Sequence, residues 1–228
     1  MLKIEKGQTI NVEDMKSLLL RGRIMRANFR LPYEESQVIE MLTASVQAEV
    51  EYRHRLFEDN PQMREQIAKA ARWLINQDKF GLLMCGVCGN GKSTLMLAIR
   101  SLINFIDMTD NYNERMSVYL TDAREIARLN KDDYAAFRKV CAKPMIAIDD
   151  MGLEPTEVLD YGNILNPVVD LISYRYNEQL FTMITTNLKP EEIRQKYGDR
   201  IADRFNEMME RIIFYNGSYR PHDAQKRG

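Results

Sequence analysis

The stretch Gly86-Val87-Cys88-Gly89-Asn90-Gly91-Lys92-Ser93 decides the fold, because it places three glycines, a lysine and a hydroxyl at a characteristic spacing. It matches the pattern G-x-x-x-x-G-K-[ST], in which glycines allow the backbone to wrap successive N–H groups around phosphate oxygens. A strand is predicted before it, over residues 80–85, and a helix after it, to about residue 106. That helix would aim the positive end of its dipole at the same phosphates. The stretch therefore predicts a phosphate-binding loop.

The side chains of this loop predict a nucleotide with a divalent cation. Lys92 is expected to reach the β and γ phosphates, and the Ser93 hydroxyl to ligate Mg²⁺. A chain of this length matches the bare pattern by chance only about 1% of the time, judged from average residue usage. We therefore predict ATP and Mg²⁺ as cofactors. The predicted nucleotide-binding residues are Gly86, Gly89, Asn90, Gly91, Lys92, Ser93 and Thr94.

Four more short apolar runs follow the loop, separated by amphipathic stretches, one of which predicts a helix over residues 122–129. Strands that alternate with helices indicate an α/β fold with a parallel sheet covered on both faces. Ligands of such sheets bind at the carboxyl ends of the strands. The predicted strands cover residues 117–120, 144–148, 180–185 and 211–215.

Polar side chains end the third and fourth strands of this sheet. Asp149 is predicted to hold Mg²⁺, directly or through water, and Asp150 to polarise the attacking water as general base. Asn187, after the fourth strand, is placed to orient that water by hydrogen bonding. The alternative is that the two acids cap the next turn and that Asn187 is a turn residue.

Arg200 and Arg204 lie one helical turn apart and so share a helix face. An arginine presented to the γ-phosphate of a neighbouring subunit stabilises transition-state charge. The alternative is a solvated helix on which the two arginines pair with acids such as Asp199, Asp203 or Glu207.

These motifs together resemble the AAA+ ATPases of the DnaC helicase-loader and IstB transposition-helper type. The resemblance covers roughly residues 62–220. Besides the phosphate-binding loop, its markers are Tyr119-Leu120-Thr121-Asp122, Ile148-Asp149-Asp150-Met151-Gly152, Thr186-Asn187-Leu188, Gly198-Asp199-Arg200-Ile201-Ala202-Asp203-Arg204 and Gly217-Ser218-Tyr219-Arg220.

The resemblance implies a three-layer core with a five-stranded parallel sheet in the order 5-1-4-3-2, and ATP bound between subunits. It makes Asn187 the sensor-1 residue, Arg204 the first candidate for the trans-acting arginine and Arg200 the second. Asp150 stands where many AAA+ enzymes carry Glu. The thirteen residues 216–228 after the fifth strand are too few for a full C-terminal helical lid.

The chain divides by its pattern into an N-terminal extension, residues 1–60, and an ATPase domain, residues 61–228. The first thirty residues carry seven Lys and Arg against three acids, a local charge of 7 − 3 = +4. Apolar residues at helical spacing after Pro32 predict a helix, and Asn60-Pro61 marks the start of the next. In helicase loaders this N-terminal region binds the helicase, so it is the candidate partner-binding region.

Composition agrees with an ordinary globular protein. Of 228 residues, 45% are hydrophobic and 29% charged, and 32 Lys and Arg oppose 33 Asp and Glu, so the net charge of −1 favours no class of partner. Three cysteines fit a reducing compartment better than a disulfide scaffold. No signal peptide or membrane-spanning run is visible, and a cytoplasmic location is expected.

One segment has the composition of a single-stranded DNA contact. Between Arg124 and Lys143, six Lys and Arg are interleaved with Tyr134 and Phe137, a mixture that suits stacked bases and paired phosphates. The alternative is a solvated amphipathic helix whose aromatic residues face the core. Tyr161 corresponds, by resemblance, to a region implicated in DNA contact.

The sequence thus predicts an ATP-dependent helicase loader in DNA replication that assembles as a homo-oligomer with ATP on a replicative helicase. Two alternatives stay open. One is a transposition helper ATPase that delivers a transposase to DNA, and the other is a nucleotide-binding adaptor without turnover.

Overall fold

The structure is a computed structural model that describes residues 11–22, 29–76, 78–109, 113–156, 158–160 and 163–219. Nine helices and seven strands lie within these ranges. The helices are α1 Val12–Gly22, α2 Glu35–Glu51, α3 Pro61–Asn76, α4 Lys92–Ile106, α5 Ala123–Asp132, α6 Tyr134–Cys141, α7 Pro167–Asn177, α8 Pro190–Tyr197 and α9 Asp199–Met208. The strands are β1 Gly81–Gly86, β2 Tyr119–Asp122, β3 Met145–Met151, β4 Val158–Asp160, β5 Asn163–Leu165, β6 Phe181–Thr186 and β7 Met209–Phe214.

Five of the strands form one parallel sheet in the order β2-β3-β6-β1-β7. These are the five predicted strands, so the predicted order 5-1-4-3-2 is confirmed. β1 lies between β6 and β7, which places the carboxyl ends of β1, β3 and β6 next to one another. The antiparallel hairpin of β4 and β5 was not predicted.

Alternate residues of the central strands enter two different cores, which makes the fold three-layered. Leu82 and Met84 of β1 pack with α2, α3 and α4 on one face. Leu83 and Cys85 pack with α5 to α9 on the other face. Because both faces are covered, both positions of the period-2 pattern are apolar.

Side-chain caps explain where several helices begin. Asp122 accepts hydrogen bonds from the backbone N–H groups of Arg124 and Glu125 (2.9 and 3.0 Å) and starts α5. Asp133 accepts from the Ala136 N–H (2.9 Å) and starts α6. These are N-cap bonds that satisfy donors left open in the first helical turn.

Residues 29–51 of the predicted N-terminal extension pack directly on the rest of the fold. Val38, Leu42 and Val46 of α2 are fully buried in the same core as α3 and α4. Phe29 lies edge-on against Phe181 of β6, with ring centroids 5.6 Å apart. Residues 29–51 therefore help to cover one face of the sheet, and the division at residue 60 stays a prediction about function.

No helix within the described residues is both long and apolar enough to cross a membrane.

Candidate nucleotide site

The predicted phosphate-binding loop joins β1 to α4, as the sequence indicates. Gly91 is the N-cap of α4 with φ +101°, a conformation that favours glycine. A Cβ at Gly86, whose φ is +153°, would lie 2.4 Å from the side-chain amide of Asn90. The loop can therefore turn this tightly only with glycine at these positions.

Lys92 lies buried at the centre of the loop. Its ammonium donates hydrogen bonds to the carbonyl oxygens of Gly86 (2.7 Å) and Val87 (2.8 Å), and to Asn187 Oδ1 at the end of β6 (2.9 Å). Burial lowers the pKa of Lys92, while nearby acids, among them Asp150, act in the opposite direction. A buried cation between two strand ends suits the binding of an anion such as a phosphate.

The predicted metal ligands meet beside the loop. The Ser93 hydroxyl donates to Asp149 Oδ1 (2.8 Å), and the Thr185 hydroxyl donates to the same oxygen. The described residues hold no cluster of three or more His, Cys, Asp or Glu side chains suited to a metal. One hydroxyl and one carboxylate fit Mg²⁺, which keeps several waters and takes the rest of its oxygens from phosphates.

Asp150 is set by an irregularity in β3. The pairing of β3 with β6 shifts register between Ile148 and Met151, and Asp150 has φ +53°. Its N–H donates to the Thr185 hydroxyl (2.9 Å). Bulges re-aim side chains next to active sites, and here Asp150 lines the same cavity as Lys92 and Asn187. The sequence predicted both acids but not the bulge.

The cavity at these strand ends has a volume of about 720 Å³, which is within the range of ligand pockets. It gathers all of the residues predicted to bind phosphate, metal or the attacking water except Gly86, whose carbonyl accepts a hydrogen bond from Lys92. The members predicted from sequence are Gly89, Asn90, Gly91, Lys92, Ser93, Thr94, Asp149, Asp150 and Asn187.

Sequence reasoning missed one wall of the cavity, which comes from the N-terminal extension. Arg53, Leu56 and Phe57 line it, and the Arg53 guanidinium donates to the Thr94 hydroxyl (2.9 Å). Arg53 follows the C-cap of α2, so the helical spacing that predicted this helix gave no signal for its position. The structure places Arg53 at the nucleotide cavity because the chain turns there after α2 ends.

The other missed wall is the C-terminal segment 216–219. The Tyr219 N–H donates to the Gly89 carbonyl (2.9 Å), and the Tyr219 hydroxyl accepts from Asn60 Nδ2 (3.1 Å). Asn216 Nδ2 donates to the Asn90 carbonyl (2.8 Å). The sequence marked Gly217-Ser218-Tyr219-Arg220 only as a family feature; the structure shows its described part lying on the phosphate-binding loop.

The two arginines of α9 differ in their surroundings. Arg204 is only 8% exposed, donates to the Ser173 hydroxyl of α7, and has its guanidinium carbon 5.0 Å from the centroid of the Tyr176 ring. Burial, followed by the charge of Arg200, lowers the pKa of Arg204. Arg200 is exposed. The geometry leaves Arg200 the more accessible of the pair.

The basic segment 124–143 is divided by packing. Phe137 is buried in the core, as the alternative interpretation expects, whereas Tyr134 is 59% exposed. Lys143 lies over the Tyr119 ring, 5.5 Å from its centroid. Exposed cations and one accessible aromatic ring thus remain on this surface. Tyr161 lies outside the described residues.

Comparisons with known proteins identify the fold. No protein-family model and no curated protein sequence matches the chain. Among solved structures, the DnaC helicase loader is 22% identical with a TM-score of 0.54, and the match covers 69% of this chain and 93% of that one. DnaI is 20% identical with a TM-score of 0.56, covering 79% and 93%.

AMPPCP-bound DnaA from Aquifex aeolicus is a further match, 17% identical with a TM-score of 0.50, covering 68% of this chain and 48% of that one. These matches share the α/β fold with a five-stranded parallel sheet that the motifs indicated, and the chain is similar in fold to the DnaC helicase loader and to DnaI.

Proposed function

We propose that this chain is an ATP-dependent helicase loader, an Mg²⁺-dependent ATPase that acts on a replicative helicase in DNA replication. The observation that carries the proposal is the convergence of Lys92, Ser93, Asp149, Asp150 and Asn187 on one cavity. The fold that holds this cavity is shared with DnaC and DnaI, which supports the choice of a loader.

Each side chain has a position that suits its proposed role. Lys92 binds the β and γ phosphates, whose oxygens replace the carbonyls of Gly86 and Val87 as acceptors of its hydrogen bonds. Ser93 and Asp149 hold the metal, which when bound neutralises charge on the phosphates. Asp150 accepts the proton of the attacking water, and Asn187, beside Lys92, orients that water.

The proposed ATP site is completed by a neighbouring copy of the chain. An arginine from that copy stabilises charge at the γ-phosphate. Exposure now favours Arg200 for this role, and the packing of Arg204 on Tyr176 favours a supporting role for Arg204 in holding α9. Single-stranded DNA is proposed to follow the exposed cations of segment 124–143, with Tyr134 as the stacking residue.

The first experiment follows complex formation by light scattering. The purified protein is mixed with the replicative helicase, and separately with the transposases, of its own genome, with and without ATP. An ATP-sensitive complex with the helicase is expected, and Lys92→Ala should lose the ATP dependence because the phosphates lose their buried cation. Lys69→Ala, at an exposed ion pair with Glu65, is the matched control. An ATP-sensitive transposase complex with no helicase complex would replace the loader by the transposition helper.

A second variant distinguishes an ATPase from an adaptor without turnover. Asp150→Asn removes the proposed base while keeping its size, so ATP should bind with unchanged affinity and be hydrolysed only at a small residual rate. Release of phosphate from radiolabelled ATP measures this. Hydrolysis at the wild-type rate would show that Asp150 is not the base, and no hydrolysis by the wild type would favour the adaptor.

A further inference from the structure

A buried carboxylate lies four residues beyond Asp150, outside the nucleotide cavity. Glu154 is 3% exposed, and its Oε2 accepts a hydrogen bond from the Gly152 N–H (2.8 Å). Its Oε1 accepts from the hydroxyl of Tyr197 and lies 3.5 Å from the ammonium of Lys196. A buried charge persists when partners of this kind surround it.

Lys196 also binds the backbone of the loop 152–154, which contains Glu154. Its ammonium donates to the Gly152 carbonyl (2.6 Å) and to the Glu154 carbonyl (2.7 Å). Burial, followed by the bond to Glu154, raises the pKa of Tyr197, so its hydroxyl keeps its proton and remains a donor. Two adjacent residues at the end of α8 therefore hold both ends of the loop 152–154.

The backbone leading into this loop is strained. Asp150 has φ +53° and Gly152 has φ +111°. The Leu153 N–H donates to the Asp150 carbonyl (3.2 Å), which closes the turn. A Cβ at Gly152 would lie 2.8 Å from the side chain of Leu188, next to Asn187. Non-glycine residues persist in the left-handed region where their surroundings determine the conformation.

We infer that Glu154, Lys196 and Tyr197 form a clamp of positioning residues that holds Asp150 where it can activate the attacking water. The inference rests on the proposed ATPase function. Glu154, Lys196 and Tyr197 are not among the residues that line the nucleotide cavity, so the clamp acts through the turn that ends β3. Lys196 and Tyr197 are the last two residues of α8, and the single residue Gly198 connects α8 to α9. The placement of Asp150 is thereby tied to the helix that carries Arg200.

The test removes one hydroxyl from the clamp and asks whether the loss acts through Asp150. Tyr197→Phe keeps the ring in the core and deletes only the donor to Glu154. Single-turnover hydrolysis should fall roughly 10-fold, because small displacements of a reacting group cost this much or more. ATP affinity, measured with a fluorescent analogue, should change less than about twofold. The control is Tyr33→Phe, which removes the hydroxyl of a partly exposed tyrosine that is distant in sequence from Tyr197.

The decisive measurement repeats Tyr197→Phe in the Asp150→Asn background. If the clamp acts through Asp150, the second change has nothing left to misplace and the residual rate stays the same. An equal fold-loss in both backgrounds would overturn the clamp and leave the ATPase assignment intact. A wild type without turnover would remove the proposed function and the clamp with it.

A conservative pair of variants separates positioning from stability. Lys196→Arg keeps a cation near both carbonyls and should retain more of the single-turnover rate than Lys196→Met, at matched ATP affinity. Thermal unfolding of both variants shows how much fold stability each has lost. If the rate follows the unfolding temperature alone and not the retained cation, the role of Lys196 is structural and the clamp is refuted.

Discussion

Asn216 joins the C-terminal segment to the phosphate-binding loop, and its replacement by alanine should loosen both. Its Nδ2 donates to the Asn90 carbonyl (2.8 Å), and its Oδ1 accepts from Gln66 Nε2 (3.0 Å). The Asn216 side chain is 7% exposed, and Asn90 and Gln66 are also buried. Within the described residues, Gln66 Oε1 has no hydrogen-bond partner, so Gln66 already leaves one polar atom unpaired.

Asn216→Ala removes these two buried hydrogen bonds, together with a longer, partly buried one from Nδ2 to the Gly217 carbonyl (3.2 Å), and leaves the Asn90 carbonyl and the Gln66 amide without these partners. A net bond contributes about 1 kcal/mol, and a buried polar group left unpaired costs about 1–3 kcal/mol. Since some rearrangement is expected, we predict a loss of about 3 kcal/mol in the free energy of unfolding. At about 2–4 °C per kcal/mol for a chain of this size, the unfolding temperature should fall by roughly 6–12 °C.

Thermal unfolding followed by circular dichroism measures this change, with exposed Asn177→Ala as the matched control. Added Mg²⁺ and ATP should raise the unfolding temperature of Asn216→Ala less than that of the wild type, because a loosened loop binds the nucleotide more weakly. An unfolding temperature within about 2 °C of the wild type would refute the reasoning, since it would mean that the two bonds contribute almost nothing.

Two other predictions concern the arginines of α9 and the cysteines. Arg200→Ala should lower turnover by up to roughly 10³-fold without weakening ATP binding. Arg204→Ala should also lower the unfolding temperature, because Arg204 is buried. Unchanged turnover in Arg200→Ala would show that Arg200 is only a solvated surface residue. At about pH 8 a maleimide should modify exposed Cys88, and Mg²⁺-ATP should protect it, since Cys88 lines the cavity. Cys85 and Cys141 should stay unmodified while the protein is folded, because burial raises their pKa to about 11 and keeps them as thiols; mass spectrometry that finds either one labelled would contradict their burial.

Much of the site was visible in the sequence because its parts are local. Gly91, Lys92 and Ser93 act within one turn of backbone, so their spacing alone predicts what they bind. Asp149, Asp150 and Asn187 each follow an apolar run, and parallel strands bring such ends together. The same alternation of strands and helices predicted the five-stranded sheet, which the structure confirms.

Other features depend on which face a side chain takes. Tyr134 and Phe137 lie three residues apart in one helix, yet one is exposed and the other is in the core. Arg200 and Arg204 share a pattern but differ in burial, because Ser173 and Tyr176 of α7 receive only Arg204. The short helices that carry these residues do not reveal which neighbour will cover them.

The sequence by itself predicted the phosphate-binding loop, the acids and the five parallel strands, because each follows from backbone rules acting over a few residues or from regular alternation. The order of the strands came from the family resemblance, since alternation alone does not specify which strands are neighbours. Only the tertiary structure decided that Arg53 and Tyr219 close the nucleotide cavity, and that Glu154 meets Tyr197 beneath Asp150. Those contacts join residues 41 or more positions apart, as with Arg53 and Thr94. Their partners are chosen by how the helices pack on the sheet, and no local pattern records that packing.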